Sequence, residues 1–166
     1  MARPGFSPMK PLAWTAAIVF ALDQVTKWIV VHWMNLIELR QIEVIPGFIE
    51  FQMAWNRGVN FGLGAGMDAR WWLIGISFAI SAAVLVWLWR SGTTRWGYIS
   101  AGLLIGGAMG NVVDRLFQPE RAVADFLNVT CCGIANPFAF NVADVAIFLG
   151  AIGLAFLSEE RKPKTR

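Results

Sequence analysis

Four long apolar runs dominate the chain, at roughly 12–33, 71–89, 96–113 and 138–157, and the segments between them are short and mixed. Each run holds about 18 to 22 residues, and a helix rising about 1.5 Å per residue needs about 20 to cross the hydrocarbon core of a bilayer. The second run, Trp71 to Trp89, contains no charge at all. The pattern predicts an all-α membrane fold of four transmembrane helices, forming one domain over residues 1–166. Arg3 and Lys10 ahead of the first run resemble the start of a signal peptide. No small-x-small cleavage site follows, and "ALDQVTKWIVV" continues in the same apolar style, so this run is read as a retained helix.

Two intervening segments, about 34–70 and 114–137, are too polar to span. In the first, "QIEVIPGFIEFQMAW" partly alternates apolar and polar residues about Pro46-Gly47, which predicts a short β-hairpin lying on the membrane surface. The "NRGVNFGLGAG" that follows has four glycines in eleven residues, a composition that suits backbone approaching something closely and acting as a lid. The second segment is expected to form a loop or a short helix. Within the third apolar run, Gly102, Gly106 and Gly110 recur every four residues and so share a helix face, where small residues let membrane helices pack backbone to backbone.

Composition agrees with the membrane reading: 57% of residues are hydrophobic, nine are Trp and only 15% are charged, against about 25% in soluble domains. Arg3 and Lys10, Arg90 and Arg95, and the tail with Arg161, Lys162, Lys164 and Arg166 cluster at one side of the predicted bundle. The positive-inside rule therefore puts both termini in the cytoplasm and the two mixed segments outside it. The net charge of +3 then reflects topology and anionic lipid rather than nucleic acid. Cys131 and Cys132 are adjacent, a spacing that suits neither a mutual disulfide nor a metal. The lone His32, beside Trp33, reads as an interfacial anchor, so no metal or cofactor is expected.

What the pattern leaves unexplained is polar residues inside the apolar runs: Asp23, Gln24 and Lys27 in the first, Asn111 and Asp114 ending the third, Asn141 and Asp144 opening the fourth. Each costs roughly 2.5 to 3.5 kcal/mol on insertion scales and must face an interior with partners. Asp23 and Lys27 have the i, i+4 spacing of an intrahelical ion pair. Asp114 and Arg115 read equally as a clamp on the following loop or as part of a site. Asp144 has no Lys or Arg near it in sequence, and a lone buried carboxylate tends to protonate. A second carboxylate within reach would let the two share one proton, giving a base to activate water and an acid to protonate a leaving group. Both Asp114 and Asp125 are candidates for that partner. The residues alone leave open hydrolysis, proton-coupled transport by a small transporter subunit, and a non-catalytic scaffold that uses its glycine seam. Acids gathered toward one face, without internal repeats, lean toward the enzyme.

Five blocks carry a resemblance: "DQVTKW" (Asp23 to Trp28), "NRGVNFG" (Asn56 to Gly62), "GGAMGNVVDR" (Gly106 to Arg115), "VADF" (Val123 to Phe126) and "FNVAD" (Phe140 to Asp144). In this order and spacing the chain resembles the bacterial lipoprotein signal peptidases, the signal peptidase II family, over nearly its full length. The resemblance implies an aspartic endopeptidase of the bacterial cytoplasmic (inner) membrane that cuts diacylglyceryl-modified prolipoproteins just before the lipidated cysteine. It implies Asp125 and Asp144 as the catalytic pair, with Asp23, Asn56, Asn111, Asp114, Arg115 and Asn141 around the site near the outer leaflet. It further implies membrane lipids and lipid-modified prolipoproteins as partners, globomycin-type inhibitors, a monomer, and no cofactor. Val59 and Asn60, where the family usually has small residues, and the loop "LNVTCCGIANP" depart from the family pattern. Both departures bear on the substrate rim rather than on the reaction.

Overall fold

The structure, a computed structural model, describes residues 9–58, 69–130 and 136–157. Val59 and Asn60, the rest of the glycine-rich segment expected to be a lid, Cys131 and Cys132, Arg3 and the basic tail lie outside the described residues. Helix α1 spans Met9–Lys27 and continues as a π-helical turn, Trp28–Trp33. A single helical turn, α2 (Leu36–Leu39), leads into strands β1 (Gln41–Ile45) and β2 (Ile49–Asn56). Then come α3 (Ala69–Ser91), α4 (Arg95–Phe117), strand β3 (Val123–Val129) and α5 (Val142–Leu157).

Among the described residues three helices are long and apolar enough to cross a membrane, Met9–Trp33, Ala69–Ser91 and Arg95–Phe117, while α5 is shorter at 16 residues. The predicted fourth run begins at 138, whereas the helix begins at Val142. The difference has a physical cause: Phe140 pairs as a strand residue with Leu127 (N···O 2.8 and 3.0 Å), so the chain is extended until Asn141 starts the helix. The expectation of a loop or short helix over 114–137 is corrected in the same way. Helix α4 runs on to Phe117, and the following stretch is a β-strand that turns the predicted hairpin into a three-stranded antiparallel sheet, ordered β1-β2-β3.

Helix α4 is the hub of the bundle. Fourteen of its residues are buried, against three (Ile74, Ser81 and Leu88) on α3, whose other faces remain apolar and exposed. Its glycine stripe forms the seam expected of it. A Cβ on Gly102 would lie 2.7 Å from the carbonyl oxygen of Leu12, and one on Gly106 would lie 2.5 Å from that of Ala16. The two helix backbones therefore touch, in parallel register. On the neighbouring face α5 runs antiparallel: Ala143 sits against Gly107, Gly150 against Ser100 and Leu104, and the carbonyl of Leu157 accepts from Thr94 Oγ1 at 2.8 Å. One end of the bundle thus holds the starts of α1 and α4 and the end of α5, closed by Leu12, Leu88, Tyr98 and Ala101.

At the other end the sheet packs on the π-helical turn. Val30, Val31 and Leu36 bury against Ala124 and Phe126, and Phe51 meets Phe126 edge to face at 5.7 Å. The β2–β3 ladder contains a bulge: Phe51 pairs with Leu127 and Ala54 with Asp125, so β2 carries one residue more than β3 between the two pairs. The bulge sets which β2 residues share a face with Asp125.

The seam allows no side chain at its tightest point. Gly106→Ala is expected to destabilise the protein by about 1–3 kcal/mol, the usual cost of overpacking. Gly75→Ala, where a Cβ meets nothing within 4 Å, should leave stability unchanged. Thermal unfolding of the two variants in the same detergent checks the contrast.

Candidate active site

The spacing of Asn141 and Asp144 is the spacing of a reciprocal helix cap. The Asp144 N–H donates to Asn141 Oδ1 at 3.0 Å, and the Asn141 N–H donates to Asp144 Oδ2 at 3.1 Å. Two of the free donors at the start of α5 are thereby satisfied, and the Asp144 carboxylate is locked to the helix end. Its other oxygen accepts from Asn111 Nδ2 on α4 at 3.0 Å. Asn141 also reaches across to the sheet, donating through Nδ2 to Asp125 Oδ1 at 2.6 Å. A single asparagine thus touches both carboxyl groups.

Asp125 lies on β3, 3% exposed, while Asp144 is only partly buried. The second oxygen of Asp125 accepts from Asn56 Nδ2, at the end of β2, at 3.0 Å. The amide of Asn56 is itself held, because its Oδ1 accepts the Gly58 N–H at 2.9 Å in an Asx turn. Gly58 takes φ +86°, and a Cβ there would run into the Leu73 side chain of α3. Burial first, and the facing Asp144 carboxylate second, push the Asp125 carboxyl up to about 7, against the pull of the Asn56 and Asn141 hydrogen bonds and the Lys27 charge.

Beneath this pair lies a second polar layer. Lys27 Nζ, 3% exposed, makes ion pairs with Asp23 Oδ2 at 2.8 Å and Asp114 Oδ2 at 2.7 Å, and donates to Asn111 Oδ1 at 3.3 Å. All three ammonium hydrogens are used. Gln24 Nε2 lies 3.1 Å from Asp23 Oδ2, 3.0 Å from Asp114 Oδ1 and 3.3 Å from the Gly110 carbonyl. Each of the two carboxylates also accepts one backbone N–H: Ala143 to Asp23 Oδ1 at 3.0 Å, and Ala124 to Asp114 Oδ2 at 3.3 Å.

The structure therefore gathers Asp23, Asn56, Asn111, Asp114, Asp125, Asn141 and Asp144 into one hydrogen-bonded network. The i, i+4 pair of Asp23 and Lys27 forms as its spacing suggests. Asp114 holds the segment that follows α4, accepting the Ala124 N–H, and also pairs with Lys27. Arg115, its neighbour in sequence, points to a different face of the helix and takes no part in that hold among the described residues. Arg115 lies beside the network without joining it. Its Nη1 donates to the Asn111 carbonyl at 3.2 Å, and its buried Nε has no partner among the described residues. Lys27 and Gln24 go beyond the residues picked out as the site in the sequence. A further signal was there to be used: an Asn-x-x-Asp ahead of an apolar run is the pattern of a helix cap. Among the described residues no three His, Cys, Asp or Glu side chains gather as a metal site. His32 is exposed beside Trp33.

Two carboxyl groups joined through one asparagine lie at one end of an apolar helix bundle, and the apolar helices mark a multi-pass membrane protein. The profile of the family described as Signal peptidase (SPase) II matches residues 15–158, and the chain belongs to that family. A lipoprotein signal peptidase of Rhodopseudomonas palustris (strain TIE-1) is 39% identical over 150 residues, covering 86% of this chain and 87% of that one. One from Rhizorhabdus wittichii is 40% identical over 147 residues, with 86% and 83% covered. The fold also matches a bacterial membrane enzyme solved by the in meso method at 1.9 Å resolution, with TM-score 0.74, 27% identity, and 87% and 89% of the two chains covered.

The proton affinity of Asp125 has a measurable sign. Its carboxyl binds a proton more tightly folded, at about 7, than at the ordinary value of 3.8. Its contribution to stability is therefore full below about 4 and lost as pH rises through about 7. Asp125→Asn stays neutral throughout, so its melting temperature relative to the parent protein should climb between pH 4 and 7 and level off above. Parallel melting curves at pH 4, 6 and 8 test this; a constant offset would contradict the raised affinity.

Proposed function

We propose that the chain is an aspartic endopeptidase of the membrane, removing the signal peptide from diacylglyceryl-modified prolipoproteins by cutting before the lipidated cysteine, with Asp125 and Asp144 as the catalytic pair. The observation that carries the residue assignment is the joining of these two carboxyl groups through Asn141, with Asp125 holding its proton up to about 7. Family membership and the two lipoprotein signal peptidases support the activity and the substrate class.

In this reading the pair carries one proton between its members. The charged member takes a proton from a water held between them, and the water oxygen attacks the scissile carbonyl carbon. The other member passes its proton to the leaving nitrogen as the C–N bond breaks, so the pair again holds one proton. Arg115, whose buried Nε–H has no partner among the described residues, is suited to hold a substrate carbonyl, together with Asn56 at the exposed rim. The transporter reading gains no support, because the family match and the lipoprotein signal peptidase relatives favour the peptidase.

The same reading takes α5 as a fourth span, with both termini in the cytoplasm and the site near the outer leaflet of the cytoplasmic membrane. It is supported by α5 running beside α4 down to Thr94. It is also supported by two groups of exposed tryptophans, Trp14, Trp89 and Trp96 at one end, and Trp28, Trp33, Trp71 and Trp72 at the other. Trp96 and Phe117 stand about 30 Å apart along α4, close to the thickness of the hydrocarbon core.

Asp125→Asn and Asp144→Asn should each lower kcat by at least about 10³-fold on a diacylglyceryl prolipoprotein in detergent, while the protein still inserts and folds. In the unaltered enzyme cleavage should fall as pH rises above about 7 and the shared proton is lost. Normal cleavage by either variant would remove that residue from the mechanism.

A further inference from the structure

We propose that Lys27 is a positioning residue for the reaction: by bridging Asp23 and Asp114 it fixes the two backbone segments that carry the catalytic carboxyl groups. This rests on the assignment of Asp125 and Asp144 as the catalytic pair. The geometry is symmetrical in a way that packing alone does not require. Asp114 accepts the N–H of Ala124, the residue just before Asp125, and Asp23 accepts the N–H of Ala143, the residue just before Asp144. Lys27 touches both acceptors, at 2.7 and 2.8 Å. One ammonium group thus links strand β3 to the start of α5 through two carboxylates that are themselves 1% and 0% exposed.

Taking Lys27 away leaves two buried carboxylates facing each other. They must then separate or take up a proton, and either response loosens their hold on Ala124 and Ala143. The Lys27 charge also acts on Asp125 directly, holding its proton affinity down. The other charged groups that bear on Asp125 are Asp144 on α5 and Arg115 on α4, and both are held by Asn111 rather than by Lys27. Loss of Lys27 therefore has two signatures that a merely structural lysine does not have. The pair moves apart, which slows the chemical step more than binding, and Asp125 keeps its proton to higher pH.

The test is Lys27→Met, assayed as the full-length protein in detergent against a diacylglyceryl prolipoprotein, with kcat and KM corrected for the folded fraction. The expected result is a fall in kcat on the order of 10²-fold, the cost of misplacing reacting groups by about 1 Å, with KM within about twofold. The alkaline limb of the pH profile should move upward. Backbone hydrogen exchange should quicken together in the peptides covering 123–129 and 142–146, and not in α3. A folded Lys27→Met protein with unchanged kcat, pH profile and exchange would overturn the proposal. Should Lys27→Met not accumulate, Asp114→Asn decides: its amide oxygen can still accept from Ala124 and Lys27, but the negative charge that anchors this arm of the bridge is gone. A fall in kcat of about tenfold or more at constant KM supports the proposal, and parental kcat and pH profile refute it. Failure of the catalytic assignment itself shows separately, as normal cleavage by Asp125→Asn or Asp144→Asn.

Discussion

A charge that leaves water must find its counter-charge and its hydrogen bonds inside the protein, and this molecule is organised around one such group. The ammonium of Lys27 sits at the junction of α1, α4, α5 and β3, where each of its three hydrogens points at an oxygen from a different residue. Hydrophobic burial cannot choose this arrangement, because lipid tails are as apolar as the helices. Unpaired charge, by contrast, costs several kcal/mol per ion even after relaxation. The pairing closes in the registration that the glycine seam sets, where the backbones of α1 and α4 touch.

The seam explains the tolerance of that centre. Side chains hop among rotamers, whereas backbone pressed on backbone has nowhere to go. Gly106 lies directly against the Ala16 backbone, and Gly107 against that of Ala143. The height of Asp23 relative to α4, and of the α5 start relative to both, is therefore set by contacts that carry no side-chain slack. Polar groups placed in this way need little reorganisation when charge moves among them, the condition under which electrostatic catalysis is strongest.

The sequence made the helices plain because bilayer thickness imposes a length that composition alone can meet, and the four-residue recurrence of Gly102, Gly106 and Gly110 announced their packing. It made Asp144 plain as an anomaly, since it has no Lys or Arg near it in sequence to pair a carboxylate in an apolar run. The strand β3 was not legible. Val123 through Phe126 are buried in succession, so the two-residue alternation that marks a half-buried strand is missing. The choice between Asp114 and Asp125 as partner of Asp144 was also beyond the residues themselves, and rested on resemblance. In the structure Asp114 is already engaged by Lys27, Gln24 and the Ala124 N–H. Those partners come from α1 and β3, at separations no local pattern encodes.

The two carboxyl groups of the pair are assembled on different clocks. Asp144 is oriented by a cap within its own first helical turn, which forms as soon as α5 does, on the sub-microsecond scale of helix formation. Asp125 is oriented only after β3 has docked on β2, a closure that brings Asn56 to a residue 69 positions away and is paid for in loop entropy before any contact is gained. A nascent chain therefore carries one aligned carboxylate and no partner until its last helix and its sheet are both in place. On the proposed assignment of the pair, proteolytic competence arrives together with the complete tertiary structure.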